Sequence, residues 1–227
     1  LFSFSLPKTP PKATNVSPSI REILGLDALK LLRDSRYLIF FISSILICIP
    51  LAFYYQDANL FLNELGMKNA AGVMTLGQIS EALFILLLPI FLNKYGIKKT
   101  LIVGMFAWSL RYVLFAFGDT GSNIWMLIFG IVLHGICYDF FFVSGQIYTD
   151  FKAGEKYKSA AQGLIALATY GLGMLIGFRL AGRVTDQFAL NPGHDWTQIW
   201  IIPAIFAAVV LLIFILTFKN EKIEIEK

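Results

Sequence analysis

The fold of this chain is decided by apolar stretches such as Ile128-Phe129-Gly130-Ile131-Val132-Leu133-His134-Gly135-Ile136-Cys137-Tyr138-Asp139-Phe140-Phe141-Phe142. Mostly apolar residues continue on both sides of it, over 123–149 as a whole. A helix needs about 20 consecutive, predominantly apolar residues to cross a lipid bilayer. The stretch is therefore predicted to be a membrane-spanning helix, and Asp139 is the one acid within it.

Five further stretches meet the same requirement. They are 38–63, 70–92, 98–117, 157–185 and 197–218. The chain has 227 residues, of which 57% are hydrophobic and only 15% charged, whereas soluble domains are roughly 25% charged. The sequence therefore predicts an all-α membrane protein with six transmembrane helices in a lipid bilayer. The net charge of +4 lies in loops and not in a basic binding module, so we expect no nucleic-acid partner.

The regions that flank these helices differ from them in composition. Residues 1–36 are predicted to hold the end of a preceding helix, a proline-containing cytoplasmic linker and an amphipathic helix. The six-helix transmembrane domain follows at 37–218, and a cytoplasmic tail occupies 219–227. The apolar residues 1–6 lead us to expect that this chain is part of a longer polypeptide.

Lysine and arginine residues gather in alternate connections between the helices. They are Lys8, Lys12, Arg21, Lys30, Arg33 and Arg36 before the first span, then Lys94, Lys98 and Lys99, then Lys152, Lys156 and Lys158, and finally Lys219, Lys222 and Lys227. Cytoplasmic loops of membrane proteins carry an excess of these residues. Both ends of the segment are therefore predicted to be cytoplasmic.

Glu81 is a second acid inside an apolar stretch, and Gln78 precedes it by three residues on the same helix face. A charge at the centre of a bilayer costs at least about 2.5–3.5 kcal/mol on insertion scales. An acid retained there is expected to bind a polar ligand or carry a proton. The alternative is a hydrogen bond that joins two helices of the bundle.

Asp139 is surrounded in sequence by aromatic residues, among them Tyr138 and Phe142. Aromatic faces can hold a flat ring by stacking while the acid binds its polar edge, and a buried acid can also serve as a proton relay. The alternative is a permanent ion pair with a buried cation, for which Arg111 in the third span is the candidate.

The first and fifth spans add two further features. Tyr55 and Asn59 lie one helical turn apart and could line a cavity. Gly173 and Gly177 form a GxxxG pair, which is typical of closely packed transmembrane helices.

The sequence holds no pattern that predicts a metal site or an organic cofactor. Cys48 and Cys137 both lie in apolar segments, and His134 and His194 are far apart in sequence. No phosphate-binding loop, dinucleotide-binding fingerprint or nucleophile–base set is present. We therefore expect the protein not to be an enzyme.

Several stretches together resemble the C-terminal half of a major facilitator superfamily transporter, in particular a bacterial nucleoside:proton symporter. They are Leu24-Gly25-Leu26-Asp27-Ala28, Gln78-Ile79-Ser80-Glu81-Ala82-Leu83-Phe84-Ile85, Lys94-Tyr95-Gly96-Ile97-Lys98, Leu110-Arg111-Tyr112-Val113-Leu114-Phe115-Ala116-Phe117-Gly118-Asp119, Tyr138-Asp139-Phe140-Phe141 and Ser159-Ala160-Ala161-Gln162-Gly163. The resemblance covers nearly the whole chain.

The resemblance implies one half of a twelve-helix bundle, built from inverted three-helix repeats, with substrate bound between the two halves. It also implies that Gln78 and Glu81 match binding residues of the family, and that Asp139 matches an acid that couples binding to protons. Ala52 and Tyr55 stand where family members often have Gln and Asn. The resemblance further implies that the N-terminal six-helix half of the same transporter is the partner of this chain.

The expected function is proton-coupled import of nucleosides across a bacterial inner membrane by alternating access. The substrate-binding candidates are Gln78, Glu81, Tyr138, Asp139, Phe142, Tyr55 and Asn59, and the proton-coupling candidates are Asp139 and Glu81. The proton is the coupling ion, and no other cofactor is expected. One alternative is a major facilitator symporter or facilitator of another polar solute such as a sugar, and another is a non-transporting membrane subunit or receptor.

Overall fold

The computed structural model describes residues 25–221, apart from the side chain of Lys156. The predicted linker and the start of the predicted amphipathic helix, which precede residue 25, lie outside the described residues, as does the tail beyond residue 221. The described part begins with a short 3-10 helix, Leu26–Arg33. Asp34 ends this helix and caps the next one, because its side chain accepts hydrogen bonds from the backbone N–H groups of Arg36 and Tyr37.

Five continuous apolar helices in the described range are long enough to cross a membrane. They are Ser35–Glu64, Ala70–Phe117, Ile124–Glu155, Tyr157–Gln187 and Trp196–Thr217. The second contains 48 residues, which would measure about 72 Å at 1.5 Å per residue. That is more than twice the thickness of about 30 Å of a bilayer's hydrocarbon core, so this helix must hold two spans.

Gly96 divides the long helix into two antiparallel arms. Its φ of 75° and ψ of 171° are not helical, and glycine adopts such a positive φ without the steric penalty of a side chain. After the second arm, Thr120 donates a hydrogen bond of 2.8 Å to the carbonyl oxygen of Leu65, which precedes the first arm. The chain therefore crosses, reverses at Gly96 and returns, and the prediction of six spans is confirmed.

We number the six spans α1 (Ser35–Glu64), α2 (70–95), α3 (97–117), α4 (Ile124–Glu155), α5 (Tyr157–Gln187) and α6 (Trp196–Thr217). The predicted boundaries agree with these to within a few residues, except that α4 continues to Glu155. Two short π-helical stretches interrupt the α-helical pattern, Tyr138–Val143 within α4 and Leu167–Gly173 within α5.

The hairpin of α4 and α5 turns at Gly154, whose φ is 62°. On either side of this turn, the Gln162 side chain donates to the carbonyl oxygen of Gln146 at 2.9 Å and to Asp150 at 2.7 Å. These bonds fix the two helices antiparallel beside the turn.

The bundle is held by close helix packing. A Cβ added at Gly173 would lie 2.6 Å from Cys48 Cβ, and one added at Gly177 would lie 2.6 Å from Ala52 Cβ. The GxxxG pair of α5 therefore lets its backbone approach α1, which is the packing that the sequence predicts.

The ends of α1 and α4 meet in a charged group that we call the Lys152 cluster, made of Asp34, Arg36, Tyr148, Lys152 and Glu221. Lys152 lies 2.7 Å from Asp34 and 2.7 Å from Glu221, and Arg36 lies 3.2 Å from Glu221. Tyr148 donates a hydrogen bond of 3.0 Å to Glu221. The cluster therefore joins the residues that precede α1 and those that follow α6 to the end of α4.

Candidate functional site

A cavity of about 370 Å³ lies between α1, α2 and α4. Eight side chains line it: Tyr54, Tyr55, Asn59, Met74, Gln78, Glu81, His134 and Tyr138. Five of them were predicted from the sequence as binding residues, namely Tyr55, Asn59, Gln78, Glu81 and Tyr138. The structure thus brings together residues that are spread over more than eighty positions of sequence.

The α1 wall of the cavity is anchored beside Pro50. Tyr112 of α3 donates a hydrogen bond of 2.7 Å to the carbonyl oxygen of Pro50, one helical turn before Tyr54. Proline inside a helix removes one backbone hydrogen bond and bends the helix. The bond from Tyr112 therefore holds α1 where its next turn presents Tyr54 and Tyr55 to the cavity.

The α2 and α4 walls meet at a tight crossing. The backbone N–H of Gly135 donates to Ser80 Oγ at 3.0 Å, and this hydroxyl in turn donates to the carbonyl oxygen of Gly77 at 2.7 Å. A Cβ at Gly135 would lie only 2.5 Å from the Ser80 carbonyl carbon, so the site requires glycine. The crossing sets Glu81 beside His134, with 3.7 Å between Glu81 Oε2 and His134 Nε2.

The remaining polar groups of the cavity are exposed to it from α1 and α2. Asn59 lies 3.7 Å from the Met74 sulfur atom and receives a hydrogen bond of 3.0 Å on its side-chain oxygen from Asn63. Gln78 and Asn59 are exposed, and the Glu81 side chain retains 33% of its accessible surface. Amide, carboxylate and phenol groups are thus available to a ligand from three helices.

Tyr138 closes the cavity on its α4 side through an aromatic contact with α5. Its hydroxyl lies 3.3 Å from the Tyr170 hydroxyl, and the Phe142 ring stacks on Tyr170 with 5.8 Å between centroids. Phe142 does not line this cavity but a larger one of about 790 Å³, shared with Tyr170 and Gln146. The predicted binding residue Phe142 therefore lies on the other side of the aromatic contact.

Asp139 does not line the cavity either. The residue is fully buried, and neither carboxyl oxygen has a hydrogen-bond partner among the described residues. It lies in the π-helical stretch Tyr138–Val143, where the bonds run from i to i+5 and the spacing of faces differs from that of an α-helix. Tyr138 thus lines the cavity and Asp139 does not, and the binding and proton-coupling roles of Asp139 stay predictions.

Arg111 has a different partner from the one that its charge suggested. It is fully buried, and its Nη1 donates to His134 Nδ1 at 3.1 Å. The expected alternative, an ion pair between Arg111 and Asp139, is not formed in this structure. The reason is helix geometry, since Asp139 comes five residues after His134 and so points away by more than a quarter of a turn.

The binding residues predicted from the sequence do not include three residues that the structure places at or beside the cavity: Tyr54, His134 and Tyr170. A signal for His134 was available, because it precedes Tyr138 by four residues and therefore shares its helix face. No comparable signal exists for Tyr170, whose contact with Tyr138 depends on how α4 and α5 pair. Within residues 25–221, no group of three or more His, Cys, Asp or Glu side chains could hold a metal ion.

Comparison with known proteins agrees with this architecture. The chain matches the family described as Nucleoside H+ symporter over residues 1–223. In Escherichia coli K12, the protein YegT is 44% identical over 99% of this chain and 55% of its own length. There the nucleoside permease NupG is 32% identical over 99% of this chain and 56% of its own length, and the xanthosine permease is 30% identical over 96% and 55%.

Solved structures give the same result. Two crystal structures of the nucleoside transporter NupG match this chain with TM-scores of 0.84 and 0.79 at 32% identity, over 57% of the NupG chain. The chain spans about half the length of the curated relatives it matches. The prediction of a six-helix half of a major facilitator bundle is confirmed by this match, whereas the inverted repeats within it stay a prediction.

The match also identifies the class of protein. This chain is a multi-pass membrane protein, and its relatives are transporters and not enzymes, as predicted. The family description names a proton and no organic cofactor. On the family match along nearly all of its length, this chain belongs to the Nucleoside H+ symporter family.

Proposed function

We propose that this chain is the C-terminal half of a proton-coupled nucleoside importer that works by alternating access. The observation that carries the proposal is the cavity between α1, α2 and α4, where five residues predicted from the sequence line one space. Family membership and the names of the nucleoside permease and xanthosine permease among its relatives support nucleosides as the substrate class.

The chemistry of the cavity suits a nucleoside. Its volume of about 370 Å³ falls within the range of about 300–1,000 Å³ of small-molecule sites. Asn59, Gln78 and Glu81 offer amide and carboxylate groups to ribose hydroxyls and to the polar edge of a base. Tyr55 and Tyr138 offer aromatic faces on which a base can stack. The N-terminal six-helix half would supply the opposite wall.

Asp139 is the group that we propose to carry the coupling proton, with Glu81 as the acid in contact with the substrate. A fully buried carboxylate without a partner is costly, so loading a proton removes a charge from the core before the bundle changes conformation. One proton that moves through 100 mV supplies about 2.3 kcal/mol, enough for roughly 50-fold accumulation.

We also propose that the protein lies in a bacterial inner membrane, with both ends of the segment cytoplasmic. Lys94, Lys98 and Lys99 surround the Gly96 reversal, and Lys152 lies close to the Gly154 turn. Thus the basic residues collect at one end of the helices, which agrees with the excess of Lys and Arg on the cytoplasmic side.

Uptake measurements test the proposal. Proteoliposomes that contain the full transporter should accumulate labelled uridine when an inward proton gradient is imposed, and an uncoupler should abolish the accumulation. A hexose in excess should not compete, whereas adenosine should. Gradient-independent equilibration would refute the coupling, and competition by the hexose would point to another polar solute.

Substitution distinguishes the proposed role of Asp139 from the general effect of removing an acidic side chain. Asp139→Asn should abolish gradient-driven accumulation but leave exchange of labelled for unlabelled uridine measurable, because exchange needs no net proton movement. Asp186→Asn is the matched control, since Asp186 is an exposed acid at the end of α5. Unchanged accumulation by Asp139→Asn would show that another group carries the proton.

A further inference from the structure

The contact between Arg111 and His134 restricts the protonation of the imidazole. Arg111 Nη1 lies 3.1 Å from His134 Nδ1, and a guanidinium group has only donors. Nδ1 must therefore accept this hydrogen bond, so it cannot carry a proton. A neutral imidazole whose Nδ1 accepts carries its hydrogen on Nε2.

The Nε2–H group that results is directed at the cavity. His134 is one of the lining residues, and its Nε2 lies 3.7 Å from Glu81 Oε2. This distance exceeds the limit of about 3.2 Å for a good direct hydrogen bond. The N–H donor of His134 and the carboxylate acceptor of Glu81 thus lie next to each other without forming a good direct hydrogen bond.

Arg111 forms no ion pair with a carboxylate of residues 25–221, and aromatic rings hold it in place. Its guanidinium carbon lies 3.5 Å from the centroid of the Tyr54 ring and 5.5 Å from that of Phe115, and a cation over an aromatic face is electrostatically stabilised. The residue is fully buried and does not line the cavity. Its effect on a ligand must therefore pass through His134 and Tyr54.

We propose that Arg111 is a positioning residue that fixes His134 in its Nε2–H form, and that this N–H and the Glu81 carboxylate together bind one hydroxyl group of the substrate. A hydroxyl is the group that suits the pair, because it accepts from Nε2–H and donates to the carboxylate at the same time. In a nucleoside this group is a ribose hydroxyl, so this ligand assignment rests on the proposed function. The tautomer assignment does not.

Nitrogen NMR tests the positioning role in the absence of any substrate. In protein labelled with ¹⁵N-histidine, the His134 signals are identified by their loss in His134→Gln. Unmodified protein should show the Nε2–H form alone, and Arg111→Met should show a mixture of both tautomers. Arg111→Gln, which keeps an N–H donor, should restore much of the Nε2–H form. An Nδ1–H form in the unmodified protein would overturn the proposal whether or not any variant folds.

Transport of analogues tests the ligand. Removal of the hydroxyl that binds this pair should raise KM by about tenfold in the unmodified transporter, so at least one of 2′-deoxyuridine and 3′-deoxyuridine should show that loss. The difference between uridine and that analogue should vanish in His134→Phe. If His134→Phe keeps the full difference, the ligand assignment fails although nucleoside transport stands. If no nucleoside is transported while the tautomer result holds, the proposed function fails and the positioning role of Arg111 remains.

Discussion

The crossing of α2 and α4 at Gly135 allows a quantitative test of how the cavity is held. An alanine Cβ there would lie 2.5 Å from the carbonyl carbon of Ser80 and 2.6 Å from the backbone nitrogen of Glu81, whereas ordinary Cβ contacts lie at 3.4–4 Å. Both obstructing atoms belong to the backbone and cannot rotate away. The two helices must therefore separate locally by about 1 Å, since packed interiors have no free space to absorb the clash.

The energetic consequence of Gly135→Ala can be worked out in three parts. Overpacking costs about 1–3 kcal/mol, and the weakened hydrogen bond from the Gly135 N–H to Ser80 Oγ adds about 0.6 kcal/mol. The higher helix propensity of alanine offsets about 1 kcal/mol. The net loss is about 0.6–2.6 kcal/mol, and uptake should fall by about 10–100-fold because Glu81 moves away from His134.

Thermal unfolding followed with a thiol-reactive dye measures the loss of stability in Gly135→Ala. Cys48 and Cys137 are free and buried, so they react only when the bundle opens. Gly163→Ala is the matched control, because a Cβ at that position meets nothing within 4 Å and the propensity gain is the same. If the two variants unfold at the same temperature and transport uridine equally well, the argument from the crossing is refuted.

Two further predictions concern other parts of the bundle. Gly173→Ala places a Cβ 2.6 Å from Cys48 Cβ, so it should lower the free energy of unfolding by about 1–3 kcal/mol relative to Gly163→Ala. The same dye assay measures this difference. Equal stability of the two variants would contradict close packing of α5 against α1. Burial acts to raise the pKa of Asp34, but hydrogen bonds from Lys152 and from two backbone N–H groups outweigh it and hold this pKa below 3.8. A lowered folded-state pKa stabilises the protein above the unfolded value and loses its effect as the pH falls through the folded value. Asp34→Asn, which keeps a capping side chain, should therefore cost less than about 1 kcal/mol at pH 7, and this cost should shrink as the pH falls below 3.8. A difference in unfolding temperature that stays the same over that range would contradict it.

The six spans were predictable because each is long, apolar and bounded by polar residues. The form of the connections was not. The predicted spans end at 92 and begin again at 98, which leaves a loop between them, whereas helix continues to Tyr95 and the chain reverses at Gly96 alone. Whether this glycine adopts a positive φ depends on how the two arms pack, and the hydropathy of the sequence does not predict it.

The cavity was predictable in part for a similar reason. Gln78 and Glu81 share a face in any α-helix, and so do Tyr55 and Asn59, so their convergence needed only correct helix assignment. Asp139 differs because it directly follows Tyr138, and consecutive residues of a helix point about 100° apart, so the two side chains do not share one face.

Arg111 shows a second limit of sequence reasoning. Its positive charge suggested an acid as partner, but the structure stabilises it with the Tyr54 ring and the His134 nitrogen. Which group a buried arginine meets is decided by the packing of α3 against α1 and α4, and charge alone does not identify that group.

The two π-helical stretches have a consequence for the shape of the bundle. Each makes bonds from i to i+5 in place of i to i+4, so each holds one residue more than an uninterrupted α-helix would use to cover the same path. If Tyr138–Val143 ran as plain α-helix with no residue removed, the Gly154 half of α4 would be rotated by about 100° relative to its Gly135 half. The extra residues in α4 and α5 thus set the rotation of each helix beyond its π-helical stretch. The helix faces that pair on the Gly154 side of the Tyr138–Tyr170 contact are therefore independent of the faces that pair on its other side.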